Sequence, residues 1–253
     1  MPRFAVMVHS LLAALIAAEG AFGGEVKVAV AANFTAVMNE IAPAFEADSG
    51  HDTVVSYGST GKLYAQITQG APFEVFLAAD QARPQRLVEA GRAEPAFTYA
   101  IGELVLWSSD PDRIGDDGAA VLRAGDYRYL AIANPKTAPY GAAAVQILEA
   151  LGLRQATAAR LVQGNNIAQT YQFVLTKNAE LGFVARSQVV LDARGSRWIP
   201  PQSLYDPIRQ DGVRLTQGQD NPAAQAFVRY LQGPEARAVI RKYGYAVESS
   251  DGR

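Results

Sequence analysis

From Val26 onward, short runs rich in Val, Ile and Phe alternate with stretches that place an apolar side chain at every third or fourth position. The first rhythm is that of buried strands and the second that of helices with one apolar stripe. Residues 26–31 (VKVAVA) read as a strand, and residues 35–48, with Val37, Ile41 and Phe45 on one stripe, as a helix. The pattern repeats: a strand over 52–57, a helix over 62–70 with Leu63 and Ile67 inward, a strand over 75–78, and a helix over 81–90 stopped at Gly91. Asp80, just before that helix, is expected to cap it.

The second half continues in the same way. Residues 103–108, 129–133 and 181–184 read as strands, and 141–151, 155–161 and 168–177 as helices. Asp110-Pro111-Asp112 and the Gly/Asp cluster to Gly118 read as turns, and the Pro-rich stretch 197–207 as a loop. Two helices, 221–231 and 234–243, close the chain. Strands alternating with helices predict an α/β fold with largely parallel sheets.

The beginning of the chain breaks this rhythm. One Arg precedes an apolar run over residues 4–18, followed by small residues to Gly24, the order of a secretory signal peptide. Residues 1–24 are therefore expected to be a leader, with the mature protein exported to the periplasm. Of the 253 residues 49% are hydrophobic, enough for one large or two medium domains, and no later apolar stretch approaches the length of a membrane span. Charge adds a negative result. Lys+Arg 23 against Asp+Glu 25 gives a net charge of -2 with no basic block, so the electrostatic footprint of a nucleic-acid binder is missing. The chain has no Cys and only two His, His9 in the leader and His51, which excludes a cysteine nucleophile and a histidine relay. Composition alone leaves a Ser-Lys or carboxylate enzyme open.

Candidate chemistry gathers at four turns, each at a strand end or just before a helix: Ala32-Asn33-Phe34-Thr35, Gly58-Ser59-Thr60-Gly61, Pro139-Tyr140-Gly141 and Asn165-Asn166-Ile167-Ala168. All carry hydroxyl, amide or glycine residues and none an acid. Helix starts present unpaired N–H groups and the positive end of the helix dipole, so several aimed at one point would hold an anion without Lys or Arg. In an open α/β sheet that point is the crevice beyond the strand ends. Taken singly, Asn33, Ser59 and Asn165 are ordinary helix caps and Tyr140 a packed aromatic. A site of donors alone suits a fully ionised dianion such as molybdate, tungstate or sulfate, whereas phosphate near neutral pH keeps a proton and rewards an acceptor.

The runs VKVAVAANFTAVMNEIAPAFEADSG, VVSYGSTGKLYAQITQGAPFEVFLAADQ and YLQGPEARAVIRKYGY resemble the periplasmic molybdate-binding proteins of ABC transporters, and the resemblance covers nearly all of the chain after the leader. It implies a type II periplasmic-binding-protein fold: two α/β lobes, 25–104 plus 205–253 and 105–204, joined by two crossing strands and closing like a jaw. Crossings are expected near residues 103–107 and 205–210. The resemblance implies no catalysis and no cofactor. It implies a monomer that binds molybdate or tungstate and passes it to a membrane permease, with the molybdenum held only through its oxygens. It places Asn33, Ser59, Tyr140 and Ile167 at oxyanion-donor positions, with Ala32, Thr60 and Gly141 as possible additions. Many members carry a Tyr where this chain has Ala185, and Tyr140 is the candidate to supply the missing hydroxyl.

Three other readings compete. Gly58-Ser59-Thr60-Gly61-Lys62 lacks the spacing and the Ser/Thr after Lys of a phosphate-binding P-loop, so Lys62 is expected on the surface. Tyr140, Tyr171 and Tyr205 admit a ferric-iron binder through phenolate ligands. A cytosolic effector-sensing domain would need an attached DNA-binding helix pair, which the N-terminal segment does not supply.

Overall fold

The computed structural model describes residues 23–248. The leader expected over residues 1–24 lies outside them except for Gly23 and Gly24. Ten strands form two five-stranded sheets. They are β1 (Glu25–Ala31), β2 (Asp52–Gly58), β3 (Val75–Leu77), β4 (Phe97–Gly102), β5 (Leu104–Ser108), β6 (Leu130–Ala133), β7 (Leu161–Gly164), β8 (Leu181–Ala185), β9 (Ser196–Trp198) and β10 (Ile208–Arg214). The helices are α1 (Thr35–Ser49), α2 (Thr60–Thr68), α3 (Ala82–Glu89), α4 (Gly118–Ala124), α5 (Pro139–Ala150), α6 (Arg154–Thr157), α7 (Ile167–Leu175), α8 (Pro222–Leu231) and α9 (Pro234–Lys242).

The first sheet runs β2-β1-β3-β10-β4 and the second β7-β6-β8-β5-β9. The chain passes from one to the other through Glu103, between β4 and β5, and returns between β9 and β10. Both crossings change the pairing. β1 lies parallel to β2 and β3, and β6 parallel to β7 and β8, but β10 runs antiparallel to β3 and β4, and β5 antiparallel to β8 and β9. The sheets are therefore mixed rather than largely parallel, because each crossing segment enters its sheet against the βα units.

Each sheet is covered on both faces. Val26, Val28 and Val30 pack with α1, α8 and α9 on one side, while Ala29 meets α2 and α3 side chains on the other. Successive strand residues face opposite ways, so a doubly covered strand reads as a continuous apolar run. In the second lobe, Leu104 and Leu106 face α5, and Val105 and Trp107 face α7.

Several short elements depart from the sequence reading. The expected helix over 155–161 stops at Thr157, and after a 3-10 turn Leu161 begins β7. α4 forms directly after the stretch read as turns, where no helix was expected, with Asp117 accepting from the Ala120 N–H at 3.1 Å. β4 and β9 were not expected; both are edge strands of their sheets, and β9 has only three residues.

Candidate anion-binding site

All four turns lie at carboxyl ends of parallel strands. Asn33 follows β1, Ser59 follows β2, Tyr140 lies beyond β6 and Ile167 beyond β7. The structure brings them to one small cavity between the two sheets, lined also by Ala32, Thr60, Ala79, Ala138 and Asn166. None of its lining residues is charged. Asn33, Ser59, Thr60, Tyr140 and Ile167 are each no more than 3% exposed.

The local sequence explains why these turns present donors. Ala32-Asn33-Phe34 form a 3-10 turn that runs into α1. Ser59 precedes α2 in an extended conformation, the geometry of an N-cap. Its hydroxyl makes no cap hydrogen bond, and Ser59 Oγ is buried without a partner. A buried hydroxyl left unpaired costs about 1–3 kcal/mol. Tyr140 is the second residue of α5 and Ile167 the first of α7, so neither backbone N–H can reach an acceptor within its own helix. Asn166, not Asn165, caps α7, accepting from the Gln169 N–H at 2.9 Å. Gly141 is required where α5 begins, because a Cβ there would lie 2.2 Å from the Ala133 carbonyl oxygen.

Three side chains of the expected set are engaged elsewhere. Thr60 Oγ1 accepts from the Ala79 N–H at 3.0 Å, tying the start of α2 to the end of β3. Asn33 Nδ2 donates to Gln210 Oε1 at 2.8 Å and to the Tyr245 hydroxyl at 3.0 Å. The Tyr140 hydroxyl accepts from Gln210 Nε2 at 3.1 Å and lies against Gly102, where a Cβ would be 2.0 Å away. Its hydroxyl thus belongs to a buried side-chain network, while its backbone N–H is one of the first-turn donors of α5 without an acceptor in the helix. Ala185 ends β8 away from the cavity lining; its N–H donates to Gln188 Oε1 at 2.9 Å, and Gln188 Nε2 donates to the Ile167 carbonyl at 3.2 Å.

The network was not legible as a site in the sequence. The Tyr245 hydroxyl, with one proton to give, lies 2.9 Å from the Asn33 carbonyl and 3.0 Å from Ser187 Oγ, and Tyr99 donates to the Ala78 carbonyl at 2.9 Å. The second Tyr of the terminal YGY was the one available signal; nothing in the sequence marked Gln210 or Ser187. Burial pushes the pKa values of Tyr140, Tyr99 and Tyr245 above the usual tyrosine range, so all three hydroxyls stay protonated at neutral pH.

The iron alternative finds no convergence of its tyrosines. Tyr171 packs on Trp107 with ring centroids 5.1 Å apart, and the Tyr205 hydroxyl accepts from the Leu104 N–H at 3.3 Å. Among the described residues no three His, Asp or Glu side chains gather as metal ligands. Asp80 takes the Arg83 N–H at 3.0 Å, as a helix cap does, and Lys62 is exposed.

Residues 26–246 match the family model described as bacterial extracellular solute-binding protein. The chain belongs to that family. This solute-binding protein is 57% identical over 247 residues to the molybdate-binding protein ModA of Azotobacter vinelandii, covering 96% of this chain and 97% of that one. It is 51% identical to ModA of Rhodobacter capsulatus over 90% of each chain. The solved periplasmic molybdate-binding protein of Azotobacter vinelandii superimposes with a TM-score of 0.86 at 40% identity, over 88% of this chain and all of that one. A sulfate-binding protein from Mycobacterium tuberculosis, 13% identical with a TM-score of 0.71 over 90% of this chain and 88% of that one, shares the fold.

Proposed function

We propose that this solute-binding protein captures molybdate, and also tungstate, in the periplasm and hands the anion to the membrane permease of an ABC importer. It acts as a monomer, without a cofactor and without chemistry on its cargo. The observation that carries this reading is the buried Ser59 hydroxyl, unpaired at the wall of a cavity that otherwise offers helix-start N–H groups and no carboxylate. A fully ionised tetrahedral dianion accepts from all of these donors, while a protonated phosphate would present a donor with no acceptor to meet it. The relatives named for molybdate support the choice among dianions.

In this reading Asn33 and Ser59 hold the anion from one lobe, and the backbone N–H groups of Tyr140 and Ile167 from the other, with Ala32, Thr60 and Gly141 shaping the turns. The two lobes, 25–104 plus 205–253 and 105–204, close about the crossings at Glu103 and before β10. The molybdenum itself touches no side chain. The leader at 1–24 carries the chain across the inner membrane.

Titration calorimetry of one purified sample with molybdate, tungstate, sulfate, phosphate and ferric ion tests this. Tight one-to-one binding of molybdate and tungstate is expected, with sulfate far weaker because a smaller ion leaves donors unreached. Binding of ferric ion or phosphate with no response to molybdate would overturn the reading.

A further inference from the structure

At the mouth of the cavity the two lobes touch backbone to backbone. The Gly61 N–H, in the first turn of α2, donates to the Thr137 carbonyl of the opposite lobe at 2.8 Å. Helix-start donors are normally satisfied by caps, water or ligand; here one is satisfied by the other lobe, two residues from Ser59. No side chain intervenes. A Cβ at Gly61 would lie 3.0 Å from Thr137 Cα and 3.2 Å from both Thr137 Cβ and Arg83 Nη2. Beside this contact Arg83, paired with Asp80, reaches across to the Lys136 carbonyl at 3.2 Å.

Both sides of the contact are stiff. On the first lobe, Thr60 is held to Ala79 by its hydroxyl. On the second, the loop before α5 is wound into a turn: Asn134 Oδ1 takes the Lys136 N–H at 3.0 Å, and the Asn134 carbonyl takes the N–H groups of Thr137 and Ala138 at 3.1 and 2.8 Å. Asn134 is itself tied to the end of β7 by its N–H, 2.9 Å from the Gly164 carbonyl. The loop leads directly into Tyr140, and α5 can settle no deeper because Gly141 already lies against Ala133.

We infer that Gly61 and Thr137 form the stop that sets how far the jaw closes, and that this fixed spacing of the helix starts selects the anion by size. The inference rests on the oxyanion reading above. Charge and donor needs are the same for sulfate and molybdate, so discrimination must come from distance. A jaw free to close further would follow a smaller ion inward and satisfy it; a backbone stop prevents that. The smaller ion then binds through one lobe only, while the matched ion gains the donors of both.

Gly61→Ala inserts a methyl group into the stop and props the lobes apart by a few tenths of an ångström. The matched anion loses contacts from the far lobe, and the ion already held by one lobe loses little. By calorimetry, with sulfate measured by competition, the molybdate dissociation constant should rise about tenfold and that of sulfate change by less than about threefold. The binding stoichiometry reports the folded fraction separately from the dissociation constant. Unchanged molybdate affinity or equal losses for both anions would overturn the stop. A wild-type protein that binds neither anion would instead sink the oxyanion reading.

Discussion

Ser59 shows how a residue can hold the position of a cap without making its hydrogen bond. It has the N-cap position and backbone geometry of α2, yet its hydroxyl has no partner while the residue is 3% exposed. A cap lost to alanine destabilises a helix, but here no cap bond exists to lose. Ser59→Ala should therefore leave the ligand-free melting temperature unchanged or raised, while weakening molybdate binding by about 1.5–3 kcal/mol, the worth of a hydrogen bond to a charged acceptor. A lowered melting temperature with wild-type affinity would return Ser59 to a structural role. Tyr140 presents the reverse case. Its hydroxyl bonds Gln210, and its backbone N–H, in the first turn of α5, has no acceptor within the helix. Tyr140→Phe should cost about 1 kcal/mol of affinity through a lost bond between lobes; a loss near 3 kcal/mol would mean that the hydroxyl itself reaches the anion.

At the scale of elements, the site depends on where four helices begin. The start of α7 is fixed by Asn166, whose Oδ1 takes the Gln169 N–H, and by Gln188, which holds the Ile167 carbonyl. Asn166→Ala should lower stability by about 1 kcal/mol, as loss of an N-cap does. It should also weaken anion binding, since the Ile167 N–H loses its aim. Stability from thermal scans and affinity from calorimetry check the two effects; intact affinity would show that Gln188 suffices. The long, strongly patterned elements β1, α1, α8 and α9 were legible in the sequence because their apolar periodicity is set by burial on a large core. The helix expected over 155–161 was not, because the Ala-rich stretch satisfies a helical pattern equally well. What ends it at Thr157 is the parallel pairing of Leu161 through Gly164 with β6, a contact distant in the chain.

At the scale of the whole molecule, closure ties the lobes through buried tyrosines. Tyr99, Tyr140 and Tyr245 hold their protons in the folded state, with burial as the first cause, beyond the pH near 10 at which unfolded tyrosines release them. The folded form then binds more protons than the unfolded form above that pH. The stability they contribute is fully present below about pH 10 and is lost as pH rises further. The thermal midpoint should fall steeply above about pH 10, and Tyr140→Phe should soften that fall; a flat profile through pH 11 would contradict the linkage. Ligand acts on the same equilibrium in the opposite direction. Molybdate at a hundred times its dissociation constant should add about 2.7 kcal/mol of stability.

The sequence by itself determined the α/β class, the principal strands and helices, and the four acid-free turns, because these follow from local periodicity and from the residue types at helix starts. It also carried the resemblance that pointed to an anion. Tertiary structure alone decided which atoms face the cavity. The Asn33 amide and the Tyr140 hydroxyl are claimed by Gln210 and Tyr245, which lie 177 and 70 or more positions away along the chain. Whether a polar group serves as cap, network member or free donor depends on what other segments offer it, and no local pattern encodes that. The spacing between the lobes is of the same kind: Gly61 is only one residue of a helix-start turn until the backbone of Thr137 is brought against it.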